Sequence, residues 1–364
     1  MFSLRLIERP MPTSSSDPDV LLDWILESMG LIRRRSDSSN SEGQYSVLHR
    51  IMSEALLLEP LKGWSSKDLG DITGMSNTGI HHQMVKLRDC GLVSALVEGK
   101  WHRHVLRGGS MAAAARLVSA EARAVLSIRL GALSHVIVES EVRMETDSEE
   151  PRTPFSIRIE ENGPREEGNG PISELAKDLG LAGENIRDGD EIASRVLTEM
   201  GSSAAPITLL SLSERLSESR GRVATVLDRM RAAGIAERVP MLERIPQDVF
   251  SGLSRQYDAR GADWLMTRGG LGRLEAGVYQ PLLDGAAEGT LDIERVADIL
   301  KAVPVADQKI LLNTLGGRMP MGFRVTGSDY QRVSERTSSL ADRTLRRIVS
   351  VAERLDSSIQ EGTM

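Results

Sequence analysis

The chain has 364 residues, with 45 lysines and arginines against 52 aspartates and glutamates, a formal net charge of −7, 3% aromatic residues and one cysteine. At roughly 100–200 residues per domain this length predicts two or three domains, each able to bury its own core. An apolar content of 40% with 27% charged residues excludes wholesale disorder.

In chain order, residues 1–44 are expected to form a flexible N-terminus carrying one amphipathic helix. The stretches 10–19 and 34–44 are rich in Ser, Pro and Asp. Between them Val20, Leu21, Trp24, Ile25, Leu26, Met29 and Leu31 recur at helical spacing and need a covering surface, either the next domain or a second subunit. Residues 45–118 follow as three helices and a strand pair. Val47, Leu48, Ile51, Met52, Ala55 and Leu56 face one side of the first helix, and Ser66 caps the second, with Leu69 and Ile72. The third runs from Ser76 to Cys90, with Ile80, Met84 and Leu87 within about 40° of one another, and ends at Gly91. Leu92 to Leu96 and Trp101 to Leu106 then alternate around Glu98-Gly99-Lys100, as a hairpin would.

Residues 119–191 are expected to hold a small antiparallel sheet, from the alternation at Leu126 to Leu130, Val136 to Met144 and Phe155 to Ile159. A dimerising helix over Ala120 to Val138 is the alternative. From 139 to 191 there are 16 acidic against 6 basic residues, which predicts an acidic linker. Residues 192–280 repeat the first unit at an offset of 143: Leu69 maps to Leu212, Ile80 to Val223, Met84 to Leu227, Leu87 to Met230, Arg88 to Arg231, Gly91 to Gly234 and Leu92 to Ile235. This second copy carries a longer excursion, Pro240 to Gly261, before a last strand at Ala262 to Thr267. Residues 281–364 are expected to be helical throughout.

A helix that enters the DNA major groove needs one apolar face on its domain and an opposite face that is short, polar and basic. Thr78, His82, Val85 and Lys86 point away from the apolar face of the Ser76 to Cys90 helix, with His81 at its flank. Ser76 and Asn77 lie at its N-terminus, where free amides also meet phosphates. Lys100 and Arg103 lie on the hairpin. In the second copy Ser219, Arg220, Gly221 and Arg222 open the helix, and Thr225 and Arg229 face outward. At these residues the chain resembles the winged helix-turn-helix regulators of the ArsR and MarR type. Ser76 to Val93 is similar to their recognition helix running into the wing, and Ser219 to Ala236 is similar in the same register. Trp264-Leu265-Met266-Thr267-Arg268-Gly269 followed by Leu274-Glu275 resembles the strand and helix start that close such a domain. A third likeness, to the helix-turn-helix of sigma-factor region 4, lies at Asp329 to Arg336 and Asp342 to Arg347; a terminal amphipathic helix used for packing or oligomerisation is the alternative there.

The resemblance implies a mainly α fold with small β-wings: tandem winged helix-turn-helix domains plus a C-terminal helical region. It implies DNA contacts by Ser76, Asn77, Thr78, His81, His82, Lys86, Lys100, Arg103, Ser219, Arg220, Arg222, Thr225, Arg229 and Arg268. The expected partner is double-stranded DNA, with half-sites roughly 34 Å apart. A homodimer through the Val20 to Leu31 and C-terminal stripes is expected too, and a transcription-machinery protein if the folds serve as a scaffold in a transcription or chromosome-maintenance complex. No cofactor, metal or catalytic role is expected. No phosphate-cradling loop, nucleophile elbow or paired metal motif occurs, and His102, His104, His81 and Cys90 lack the thiolate and helix ligands of ArsR-type metal sensors. A lone cysteine, Cys90, excludes an internal disulfide, which predicts a reducing, cytoplasmic setting. MFSLRLIERP lacks the apolar core of a signal peptide and Gly201 to Ser213 is too short to span a bilayer, so no membrane partner is expected. The acidity does not exclude DNA. Residues 45–107 carry 8 basic and 6 acidic side chains and residues 207–275 carry 11 and 9, so each unit is +2 and the deficit lies elsewhere.

Overall fold

The computed structural model describes residues 1–32, 45–99, 101–148, 151–163, 171–183 and 191–362. Residues 33–44, with the Ser/Asp-rich stretch, residues 149–150, 164–170 and 184–190 of the acidic linker, and Lys100 fall outside the described residues. The chain opens with a strand, β1 (Ser3–Ile7), and a helix, α1 (Pro18–Ser28), capped by Asp17 with Pro18 in its first turn. A short α2 (Val47–Ile51) runs into a π-helical turn (Met52–Leu56). α3 (Ser66–Thr73) begins at a capping box between Ser65 and Asp68, so Ser65 rather than Ser66 is the cap. α4 (Asn77–Asp89), capped by Ser76, leads into the hairpin β2 (Val93–Glu98) and β3 (Trp101–Leu106). α5 (Met111–Gly131) follows, then single 3-10 turns, β4 (Ser156–Glu160) and α6 (Pro171–Asp178).

The second half repeats this order with α7 (Ile192–Ser202), α8 (Leu209–Leu216), α9 (Arg220–Ala232) and β5 (Ala236–Pro240). Four helices come next: α10 (Ile245–Thr267), α11 (Ala276–Glu288), α12 (Ile293–Leu300) and α13 (Val305–Thr314). Only then does β6 (Met321–Val325) pair with β5, and α14 (Tyr330–Gly362) closes the chain. The fold is therefore mainly helical with small two-stranded sheets.

The repeat extends well beyond α4 and α9, which are both 13 residues long. Trp64 bridges to His104 and Ile207 bridges to Phe323, adding the same third edge to each strand pair. Trp64 and Ile207 keep the offset of 143, whereas His104 and Phe323, Ser110 and Asp329, and the starts of α5 and α14 are 219 apart. The 76-residue difference is an insertion between β5 and β6. Residues 245–315 within it pack on a core of their own, from Ile245 and Leu253 to Leu311 and Leu315. The last strand expected at Ala262 to Thr267 is thus helix: α10 continues through a kink at Gly261 (φ 76°), and Thr267 Oγ1 donates to the Asp263 carbonyl at 2.7 Å. Short-range alternation misled there because the edge of β5 is taken by a strand some eighty residues further on. The boundary expected at 280 falls inside these inserted helices.

The sheet expected around residues 126–144 is also absent among the described residues. Leu126 and Leu130 lie on α5, which continues into 3-10 turns, so the helical alternative for this stretch is the one adopted as far as His135. Only Phe155 to Ile159 yields a strand, β4, and its partner is β1 at the N-terminus, a strand the flexible-terminus expectation missed. The third helix-turn-helix is likewise corrected. Asp329 caps α14, and Tyr330 to Gly362 is one uninterrupted helix of 33 residues with no turn.

α14 lies antiparallel against α5. Its buried stripe Val333, Ala341, Leu345, Ile348, Val351 and Leu355 meets the small residues Ala112, Ala115, Val118, Ser119 and Ala122, which allow close approach. Each fully buried Leu, Ile or Val there contributes about 1.5–3 kcal/mol. Asp356 on α14 accepts hydrogen bonds from the Met111 and Ala112 amides at 3.1 and 2.9 Å, capping α5 from across the interface. α1 packs on α14 as well, burying Leu21, Leu22, Ile25 and Leu26. Most of the Val20 to Leu31 stripe and the buried stripe of α14 are therefore covered within the chain, while Val20 stays exposed.

Two pairs of equivalent residues face each other across this arrangement. Arg5 lies opposite Arg158 in the β1–β4 ladder, and Arg123 Nε donates to Asp342 Oδ1 at 2.6 Å across α5–α14. Arg123 and Asp342 are 219 apart, the offset of the repeat. Arg5 and Arg158 each lie against a left-handed glycine after the neighbouring helix, Gly30 (φ 65°) and Gly180 (φ 73°), where an added Cβ would stand 2.8 Å from the arginine Cβ. A residue that meets its own equivalent marks a local twofold axis. The two halves are thus joined as the subunits of an isologous dimer would be.

Candidate nucleic-acid interface

α4 and α9 are held by the same local chemistry. Ser76 Oγ accepts from the Gly79 amide at 3.3 Å and Ser219 Oγ from the Arg222 amide at 3.4 Å. Ile80, Met84 and Leu87 on α4, and Val223, Leu227 and Met230 on α9, are buried. This fixes each helix's rotation and turns the opposite face outward. Ser76, Asn77, Thr78, His81, His82 and Lys86 are all exposed, as are Ser219, Arg220, Arg222 and Thr225. The His81 and His82 rings are 6.4 Å apart with their planes tilted by 59°.

Several of these side chains are already engaged. Arg222 pairs with Glu218 at 2.6 Å, and Thr225 Oγ1 donates to the Gly221 carbonyl at 2.8 Å. Arg103, paired with Leu96 in the middle of the hairpin, is tied to Glu98 at 3.2 Å and to Asp68 at 3.8 Å, so its charge is compensated. Lys100 lies outside the described residues. Arg268 is not part of the interface: it caps α10 in the inserted helices, because the strand expected before it is helix.

Compared with known proteins, the chain matches no family model, no curated protein and no solved structure.

Lys86 and Arg229, equivalent residues on α4 and α9, face each other across an open groove of about 1170 Å³. The outward face of the β1–β4 ladder floors it. Leu4, Leu6, Ile157 and Ile159 point into the core, leaving Arg5 and Arg158 toward the groove. Arg229 Nη1 donates to the Leu181 carbonyl at 3.2 Å. Among the described residues, neither Lys86 nor Arg229 forms an ion pair. The carboxylates at the rim are partnered: Glu160 with Arg158 at 2.8 Å, Asp228 with Arg231 at 3.4 Å and Asp89 with Arg88 at 3.4 Å. Sequence reasoning missed Arg5 and Arg158. The alternation of Leu4 and Leu6 with Ser3, Arg5 and Ile7 was the available signal, but a five-residue strand paired 150 residues away leaves no local trace of its partner.

Among the described residues no cluster of three His, Cys, Asp or Glu side chains has the arrangement of a metal site. His104 is buried beside the Trp64 bridge, and burial, then the charges of His102, Arg88 and His81, lowers its pKa. Cys90 Sγ donates to the Leu87 carbonyl at 3.3 Å, and burial pushes the thiol up to about 12. No helix of the described chain is long and apolar enough to cross a membrane.

Proposed function

We propose that the chain is a double-stranded DNA-binding transcriptional regulator built from two winged helix-turn-helix units, acting in the cytoplasm without a cofactor or catalytic step. One observation carries this reading. α4 and α9, equal in length and capped alike, expose polar and basic faces on either side of a local twofold axis. In each unit a packed helix precedes this helix and an antiparallel strand pair follows it, closed as a hairpin in the first unit and across the inserted helices in the second, the order in which a reading helix is presented to the major groove. His82, Lys86, Arg220 and Thr225 are then base or phosphate contacts, and the Ser76 and Ser219 turns meet the flanking backbone.

Binding of the purified chain to a random duplex pool, followed by anisotropy titration on the enriched sequence, tests this. H82A with K86A, and separately R220A with T225A, should each weaken binding by about 1–3 kcal/mol per lost base contact, roughly 5- to 150-fold. A wild-type chain that enriches no sequence and binds no duplex at 50 mM salt refutes the reading. Asp228, 70% exposed in the middle of the outer face of α9, favours the second reading, a winged-helix scaffold that binds protein. That scaffold would show the same null result with DNA.

A further inference from the structure

We infer that the groove between α4 and α9, floored by Arg5 and Arg158, is a third DNA contact that holds the phosphates at the centre of an imperfect inverted repeat read by a single chain. The inference rests on the DNA-binding reading above and deepens it.

The argument starts from symmetry. When two helices related by a twofold axis enter successive major grooves, the protein surface on the axis faces the intervening minor groove and its flanking phosphates. Here that surface is the Arg5/Arg158 pair of the β1–β4 ladder. The helices meet the groove by their middle and C-terminal turns, Lys86 and Asp89 on one side, Thr225, Asp228 and Arg229 on the other. Their N-terminal turns therefore point outward. Each helix has 13 residues and is ~20 Å long, which gives those turns the reach for two major grooves ~34 Å apart.

Charge selects the occupant. Arg5, Lys86, Arg158 and Arg229 line the groove against Asp89, Asp228 and Glu160; Asp89 and Asp228 are paired with Arg88 and Arg231 from outside the lining and Glu160 with Arg158 itself, so cations outnumber carboxylates and Arg158 trades its Glu160 contact for a phosphate. A phosphodiester backbone crossing the axis meets cations on both walls and on the floor. The walls are not identical. Lys86 on α4 corresponds to Arg229 on α9, His82 to Thr225, Asn77 to Arg220 and Val85 to Asp228. The two half-sites should therefore be related by inversion but differ in sequence.

The test uses the full chain and the duplex enriched above. In R5Q with R158Q the side-chain stems stay over Gly30 and Gly180 while both charges are removed. Expected are a slope of log Kd against log salt that falls by about two, ~0.9 per phosphate contact, and unchanged discrimination between the enriched duplex and one mutated in a half-site. Sedimentation should give one chain per duplex. An unchanged slope, while H82A with K86A and R220A with T225A still weaken binding, overturns the groove contact and leaves DNA reading intact. Two chains per site overturn the single-chain inverted repeat. A free-anion site would show as wild-type thermal stabilisation by inorganic tripolyphosphate, lost in R5Q with R158Q, with an unchanged duplex slope. That result also overturns the inference. A wild-type chain that binds no duplex overturns the inference together with the function it rests on.

Discussion

Arg143 is 1% exposed and has no carboxylate partner among its hydrogen bonds. Its guanidinium is spent on backbone carbonyls: Nε and Nη2 on Ser203 at 3.0 and 2.7 Å, and Nη2 on Val138 at 2.9 Å and Gly201 at 3.2 Å. Gly201 and Ser203 are the last carbonyls of α7, so the cation sits at the negative end of that helix. Burial, then the nearby Arg324, lowers its pKa without neutralising a guanidinium. R143M would leave the Ser203 and Val138 carbonyls unpaired at about 1–1.5 kcal/mol each, the Gly201 carbonyl keeping the Val138 amide at 3.0 Å, and remove a helix-end interaction of about 0.5–1 kcal/mol. Removing a desolvated charge offsets about 1 kcal/mol of this, leaving a net loss of about 2 kcal/mol. Unfolding in urea followed by circular dichroism should show that loss at an unchanged m value, and the melting temperature should fall by about 3 °C. R143K, with a single ammonium, should fall between. A loss below about 1 kcal/mol in R143M would refute the idea that these carbonyls depend on the arginine.

Three further outcomes are expected. Deleting residues 242–319 and joining Met241 to Pro320 through Asn-Gly should leave the remaining fold intact, because Pro240 and Met321 are paired and the Met241 amide already bonds to the Pro320 carbonyl at 2.8 Å; loss of the cooperative transition would refute the separate-core description. Native chain at pH 8 should not react with a disulfide reagent until guanidinium exposes Cys90, whose pKa of about 12 keeps the thiol protonated; rapid native-state labelling would contradict its burial. His104 binds its proton less tightly folded than unfolded, so its contribution to stability is present above the unfolded value near 6.5 and is lost as pH falls below that toward the lower folded value. Urea unfolding between pH 7.5 and 5 should show the loss, and H104Q should flatten the profile; an equally steep profile in H104Q would assign it to other groups.

The parts of the fold legible in the sequence were those whose cause is local. Ile80, Met84 and Leu87 and their equivalents on α9 fix a helical face by spacing, and Ser76 and Ser219 mark the caps by residue type. The β2–β3 hairpin was legible because both strands and its turn lie within fourteen residues. What failed were pairings at a distance. β4 reads as a strand but its partner is β1, and β5 waits for β6 across four helices. Trp264 to Thr267 and Leu126 to Leu130 alternate well enough to pass for strands, yet the first lies on the short helical segment that resumes after the Gly261 kink and the second on a long helix whose cap is far upstream. In the same way the offset of 143 was visible and the offset of 219 was not, since an insertion breaks the register. The candidate interface followed suit: side chains on α4 and α9 were found by periodicity, whereas Arg5 and Arg158 meet only once the ladder forms.

The inserted helices belong to one half only. A pair of identical subunits on an inverted repeat looks the same from either end and carries no direction. This chain, under the proposed function, does not. With the insertion projecting from the β5–β6 side alone, and with unlike residues on α4 and α9, the molecule settles on its duplex in one orientation, and whatever the inserted helices carry is delivered upstream or downstream according to the order of the half-sites. A near-symmetric reader thereby acts as a pointer, and reversing its site would move the insertion to the other flank without changing affinity.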